Sequence, residues 1–107
     1  MNLSEEDKER IVAWARKHPE IRAVYLYGSR ARGDNKAGSD IDLAVRMMPT
    51  GHDDAYNVWW EWHDRYKKCP DLHVGNPVHL EWYEEDSSLE RVGPAVARDG
   101  VLLYSIN

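Results

Sequence analysis

Phenylalanine is absent from the 107 residues, and there is one cysteine, Cys69. With five Trp and six Tyr but no Phe, aromatic packing rests on side chains that carry a polar handle. A lone cysteine excludes an internal disulfide and suits a reducing compartment. No apolar run approaches membrane-spanning length, and no charged-then-apolar leader opens the chain, so the expected location is the cytoplasm. An excess of basic residues is missing too. Lys and Arg number 14 against 19 Asp and Glu, a net charge of -5, which argues against a general nucleic-acid binder. A local basic patch at Arg30, Arg32 and Lys36 is left to hold one nucleotide. Repeats, low-complexity tracts and linkers are absent, so residues 1–107 are expected to form one domain. Hydrophobic residues at 42% and charged residues at 31% fit a folded chain.

The elements follow from spacing and punctuation. Ser4 is a good N-cap ahead of Ile11, Val12, Trp14 and Ala15 at helical spacing, and Pro19 stops that helix near Lys17. Ala23 to Tyr27 reads as a buried strand closed by Gly28, and a short helical turn starts at Ser29. Residues 33–38 are a loop by composition, and Asp40 to Arg46 is a second strand. Asp53 to Lys68 reads as a helix whose core stripe is Ala55, Trp59, Trp62 and Tyr66. A second stripe, Tyr56, Trp60 and His63, lies beside it and is taken as a widened core face in a protein without Phe. Pro77 to Tyr83 is a strand with Val78, Leu80 and Trp82 on one side, His79 and Glu81 on the other. Ser87 to Arg98 is a last helix, weakened or kinked at Gly93-Pro94, and Val101 to Tyr104 a terminal strand. The expected fold is α/β (α+β): a small mixed sheet of about four strands with helices mainly on one face, leaving the other for chemistry.

One stretch carries chemistry. Gly28-Ser29 is separated by ten residues from Asp40-Ile41-Asp42. A strand that ends in Gly and opens a helical turn with Ser is suited to phosphate: backbone N–H groups aim outward and no Cβ blocks the approach. Asp40 and Asp42, two apart on a strand, present both carboxylates on one face. Two carboxylates so close favour a cation between them, and Mg²⁺ held by a few carboxylates plus substrate phosphates fits.

With these residues stated, the chain resembles the nucleotidyltransferase superfamily that includes DNA polymerase beta, in its minimal nucleotidyltransferase branch. The resemblance is specific from Tyr25 to Leu43 and follows element order over nearly the whole chain. It implies a polymerase-beta-like fold and attack of an acceptor hydroxyl on the α-phosphate of an NTP, ATP first, with release of pyrophosphate. It implies that Gly28 and Ser29 hold the phosphates, with Arg30, Arg32 and Ser39 as further nucleotide-binding residues, and that Asp40 and Asp42 hold two Mg²⁺ ions. The family uses a third carboxylate on a later strand. Here His79 stands at that position by motif, and Glu81 shares its face. Glu81 is taken as third metal ligand or general base, with His79 as runner-up. The branch is often met as antitoxins paired with helical toxins, which implies a hydroxyl on a toxin-like partner as acceptor, or one formed across a homo-oligomer.

Two rivals stand beside this. A small-molecule transferase of the aminoglycoside type normally needs a second domain to hold its acceptor. A catalytically impaired nucleotide-binding or antitoxin module would act by masking a partner. The five histidines form no zinc-binding spacing.

Overall fold

The computed structural model describes residues 1–84 and 92–106. In chain order the elements are α1 (Glu5–Lys17), β1 (Ile21–Tyr27), α2 (Ser29–Arg32), β2 (Ile41–Met47), α3 (Ala55–Lys68), β3 (Val78–Trp82), α4 (Val92–Asp99) and β4 (Val101–Ser105). This is the order expected. The ends moved by one or two residues. Asp40 lies just outside β2, and α3 starts at Ala55 rather than Asp53, with Asp54 capping it by accepting the Asn57 N–H. Of the last expected helix, residues 87–91 lie outside the described residues.

The four strands form one mixed sheet in the order β3-β2-β1-β4. β1 runs antiparallel to β2 and to β4, and β3 runs parallel to β2, so α3 is the crossover of a β2-α3-β3 unit. Ser4 caps α1 by accepting the Asp7 N–H, and acidic residues fill its first turn while Arg16 and Lys17 end it, in line with the helix dipole. The α1 face carrying Ile11, Trp14 and Ala15 and the α3 face carrying Val58, Trp59 and Trp62 bury the sheet side of Val24, Leu26, Leu43, Val45 and Leu80. That is the main core. α4 lies on the opposite face, where Val92 and Val96 pack with Ala44 and Tyr83, against Tyr25 and Tyr27. It covers part of the face expected to be open. At its end the Gly100 N–H donates to the Val96 carbonyl, and a Cβ at Gly100 would stand 2.5 Å from that oxygen.

The lack of Phe is met as the composition suggested. Trp14, Trp62, Tyr66 and His18 form an aromatic cluster, and the polar handles of the two indoles are used. Trp14 Nε1 donates to Asp71 at 2.8 Å, and Trp62 Nε1 donates to His18 Nδ1 at 3.1 Å. His18 Nε2 in turn faces Asp71 at 2.9 Å. The second stripe of α3 departs from expectation: Tyr56 is 45% and Trp60 53% exposed, so it is not core. Its rings pack on one another and on Trp82 at the rim of β3. Only His63 turns inward, stacked on Trp59 at 4.6 Å. Among the described residues no helix is long and apolar enough to cross a membrane.

Candidate active site

β1 ends at Tyr27, and Gly28 takes φ +77° and ψ -155°, a conformation essentially closed to residues with a Cβ. The next four residues form the single turn α2, ended by Gly33 in the left-handed region. Tyr27 is paired with Asp42 across the β1–β2 ladder, which brings the start of the turn beside the second Asp. The contact is close. A Cβ built on Gly28 would lie 2.7 Å from Asp42 Oδ2. The two halves of the motif therefore meet in space, and the carboxylate occupies the place that a side chain at position 28 would need.

Asp42 is partly buried. Burial raises its pKa above the usual carboxylate range, and neighbouring Asp40 pushes the same way, while His79 and Arg30 oppose. Tyr27, on the same face, is raised by burial and by the charges of Asp42 and Glu81. Asp40 itself is exposed at the mouth of the site.

The parallel β2–β3 register sets the third position. Asp42 is paired with His79, and Ala44 with Glu81. His79 Nδ1 stands 3.5 Å from Asp42 Oδ1, and its Nε2 stands 3.0 Å from Glu81 Oε1. The expectation that β3 lies beside β2 with His79 and Glu81 on the Asp42 face is met. The His79 ring thus stands between Glu81 and Asp42. Among the described residues no three His, Cys, Asp or Glu side chains form a group that could hold a metal ion.

Arg30, expected among the nucleotide-binding residues, has a buried side chain, and three of its five N–H groups bond within the chain. Nε and Nη2 donate to the Ser39 carbonyl at 3.1 and 2.7 Å, and Nη1 donates to the Asn2 carbonyl at 3.1 Å. The Asn2 N–H returns a bond to the Arg30 carbonyl. Arg30 thus ties the turn to the loop that leads into Asp40. Ser39 takes part in that tie, and its Oγ accepts the Lys36 N–H, which closes the loop locally. Arg32 is partly exposed and pairs with Asp34 at 3.0 Å and Asp99 at 3.5 Å. The sequence offered no local signal for the Arg30 bonds, since both acceptors are backbone carbonyls distant in the chain.

Residues 9–107 match the family described as "Polymerase beta, Nucleotidyltransferase". The chain belongs to this nucleotidyltransferase family. No curated protein matches the sequence significantly. Among solved structures it is similar to a toxin–antitoxin crystallised with AMP-PNP, with 20% identity and a TM-score of 0.57, covering 94% of this chain and 74% of that one. It is also similar to a mutant of the toxin–antitoxin MntA–HpeT carrying two Asp-to-Glu substitutions, with 22% identity and a TM-score of 0.58, again over 94% and 74%. At these identities the likeness to the two structures is one of fold.

Proposed function

We propose that this protein is a Mg²⁺-dependent nucleotidyltransferase of the antitoxin type. It moves a nucleoside monophosphate, AMP from ATP first, onto a hydroxyl of a partner protein. The observation that carries this reading is the seating of the Asp42 carboxylate against Gly28, with Asp40 beside it. Asp40 and Asp42 are the proposed metal ligands. Their hard oxygens suit Mg²⁺, and a cation would relieve the repulsion and burial that raise Asp42. When bound, the metal would offset triphosphate charge and lower the pKa of the acceptor hydroxyl. Gly28 and Ser29 take the phosphates, and Arg32, the exposed cation of the same turn, is the remaining basic contact. Arg30 and Ser39 act as positioning residues for the loop into Asp40.

His79 and Glu81 are the groups available to receive the acceptor's proton. Pairing with Asp42 favours His79 as the first of these, with Glu81 holding the imidazole from its far nitrogen. The acceptor is assigned to a partner because the similar solved structures are toxin–antitoxin assemblies.

The test is pyrophosphate release and label transfer from α-labelled ATP with Mg²⁺. It is run with and without the protein encoded by the adjacent reading frame. Partner-dependent label on protein is expected. A second reading is favoured by one observation, the imidazole in the place of the family's third acid. In that reading the chain is an impaired nucleotide-binding antitoxin that masks its partner. Tight binding of ATP and partner with no pyrophosphate release would establish it instead.

A further inference from the structure

Arg32 is the last residue of the single turn α2, which Gly33 ends in the left-handed region. A long side chain at the end of one helical turn has many rotamers open to it. Fixing one of them when a ligand arrives costs entropy, and fixing it beforehand removes that cost from binding. Here two carboxylates reach the guanidinium in the free chain. Its Nε donates to Asp34 Oδ2 at 3.0 Å, and its Nη1 stands 3.5 Å from Asp99 Oδ2. Nη2 is left without a partner among the described residues.

The two carboxylates are not equivalent. Asp34 lies in the loop just after the turn, with 61% of its side chain exposed. Asp99 closes α4 at the other end of the chain, and its side chain is only 16% exposed. Its place is set by the sheet. In the antiparallel β1–β4 ladder, Tyr25 is paired with Leu102 and Leu26 with Val101. Carried two residues further, that register sets Asp99 level with Gly28, where the phosphate turn begins. The Gly100 N–H on the Val96 carbonyl fixes the junction between α4 and β4. Arg98 Nε donates to the same Asp99 oxygen at 2.8 Å, which offsets part of the charge that Asp99 would set against a triphosphate. An exposed ion pair of this kind adds little to stability. What it supplies is direction. A guanidinium carries its N–H groups in a rigid planar fork, so a carboxylate on one part of the fork aims the rest.

We propose that Asp99 is a positioning residue for Arg32. It holds the guanidinium through Nη1, so that Nη2 meets a phosphate oxygen of the nucleotide seated at Gly28-Ser29. The end of α4, which only the β1–β4 ladder brings to the turn, thereby becomes part of the nucleotide site. The phosphate contact rests on the transferase reading above. The hold on Arg32 does not, and it is measured first without nucleotide.

The first measurement is the heteronuclear NOE of the Arg32 Nε–H by NMR on the free, full-length chain. An ordered Nε–H is expected in the wild type and in Asp34→Ala, and a mobile one in Asp99→Ala. The second is calorimetry with Mg²⁺ and a non-hydrolysable ATP analogue. Asp99→Ala should weaken binding about fivefold, within the range of couplings between contacting residues. Asp99→Asn should fall between it and the wild type, because the amide oxygen still accepts a hydrogen bond. In an Arg32→Ala background, Asp99→Ala should change affinity by less than about twofold, since the residue through which it acts is gone. The melting temperatures of the Asp99 variants should stay close to that of the wild type. The proposal is overturned if Arg32 is as ordered in Asp99→Ala as in the wild type, or if the loss of affinity is as large without Arg32. It is also overturned if Asp99→Ala binds the analogue as well or more tightly, since the carboxylate would then compete with phosphate for Arg32. An ordered Arg32 in a wild type that binds no analogue counts against the transferase reading, while the order lost in Asp99→Ala still supports the hold.

Discussion

Gly28 and Asp42 show how one residue can serve two demands. Gly28 is needed for its positive φ, and also because the Asp42 carboxylate stands where its Cβ would be. Gly28→Ala is therefore expected to cost about 1–3 kcal/mol of stability from the strained backbone. It should also displace Asp42 and abolish nucleotide binding measured by calorimetry with Mg²⁺. If the steric part is real, the cost of Gly28→Ala will shrink in an Asp42→Gly background, and strict additivity of the two would refute it. Asp42→Asn keeps the shape and removes the charge. It should retain the fold, lose transfer, and lose the rise in Tm that Mg²⁺ with ATP is expected to give the wild type by linkage. An equal rise in both proteins would remove Asp42 from the site. The spacing of Gly28-Ser29 and Asp40-Asp42 was legible in the sequence because strand period and turn chemistry are local. Arg30 was not. Its role depends on Ser39 and Asn2 carbonyls that only the folded chain brings to it.

At the level of elements, parity was readable and register was not. Alternation along Val78 to Trp82 correctly put His79 and Glu81 on one face. Which of them stands across from Asp42 is fixed by how the β2-α3-β3 crossover seats β3, and no local pattern carries that. The pairing of Asp42 with His79 leads to a definite expectation. His79→Ala should reduce the transfer rate more than Glu81→Gln. Pyrophosphate release by the two variants at saturating ATP decides, and a larger loss for Glu81→Gln would give the third position to the carboxylate. The aromatic stripe on α3 misled for a related reason. Helical period identified both stripes, but β3 is too short and too close to the edge to cover the second, so Tyr56 and Trp60 face solvent. The buried cluster makes a separate claim. Trp62→Phe preserves most of the packing but strips the donor from His18 Nδ1. It should cost about 0.5–1.5 kcal/mol, measured by urea denaturation, for the hydrogen bond lost to a partly exposed acceptor.

For the molecule as a whole, the order of elements and the mixed sheet followed from punctuation by Gly and Pro and from two clear periods. The placement of α4 across the second face did not, because the segment before it gives no reliable start signal. Global stability offers a test in which one side chain reports on the packing of α3 against β3. Burial lowers the pKa of His63 from its usual 6.5, and Lys67 lowers it further, with Glu81 and Asp64 opposing more weakly. The unfolded chain then holds a proton at this position over a range in which the folded chain does not. Stability from His63 is fully present above pH 6.5 and is lost as pH falls through the lower folded value. His63 also stacks on Trp59, so its replacement will change stability at every pH, and the slope rather than the absolute value is diagnostic. Urea unfolding of wild type and His63→Gln at a series of pH values should give a wild-type stability that declines more steeply below pH 6.5 than that of the variant. Parallel curves would mean that His63 gains no more burial on folding than an exposed imidazole.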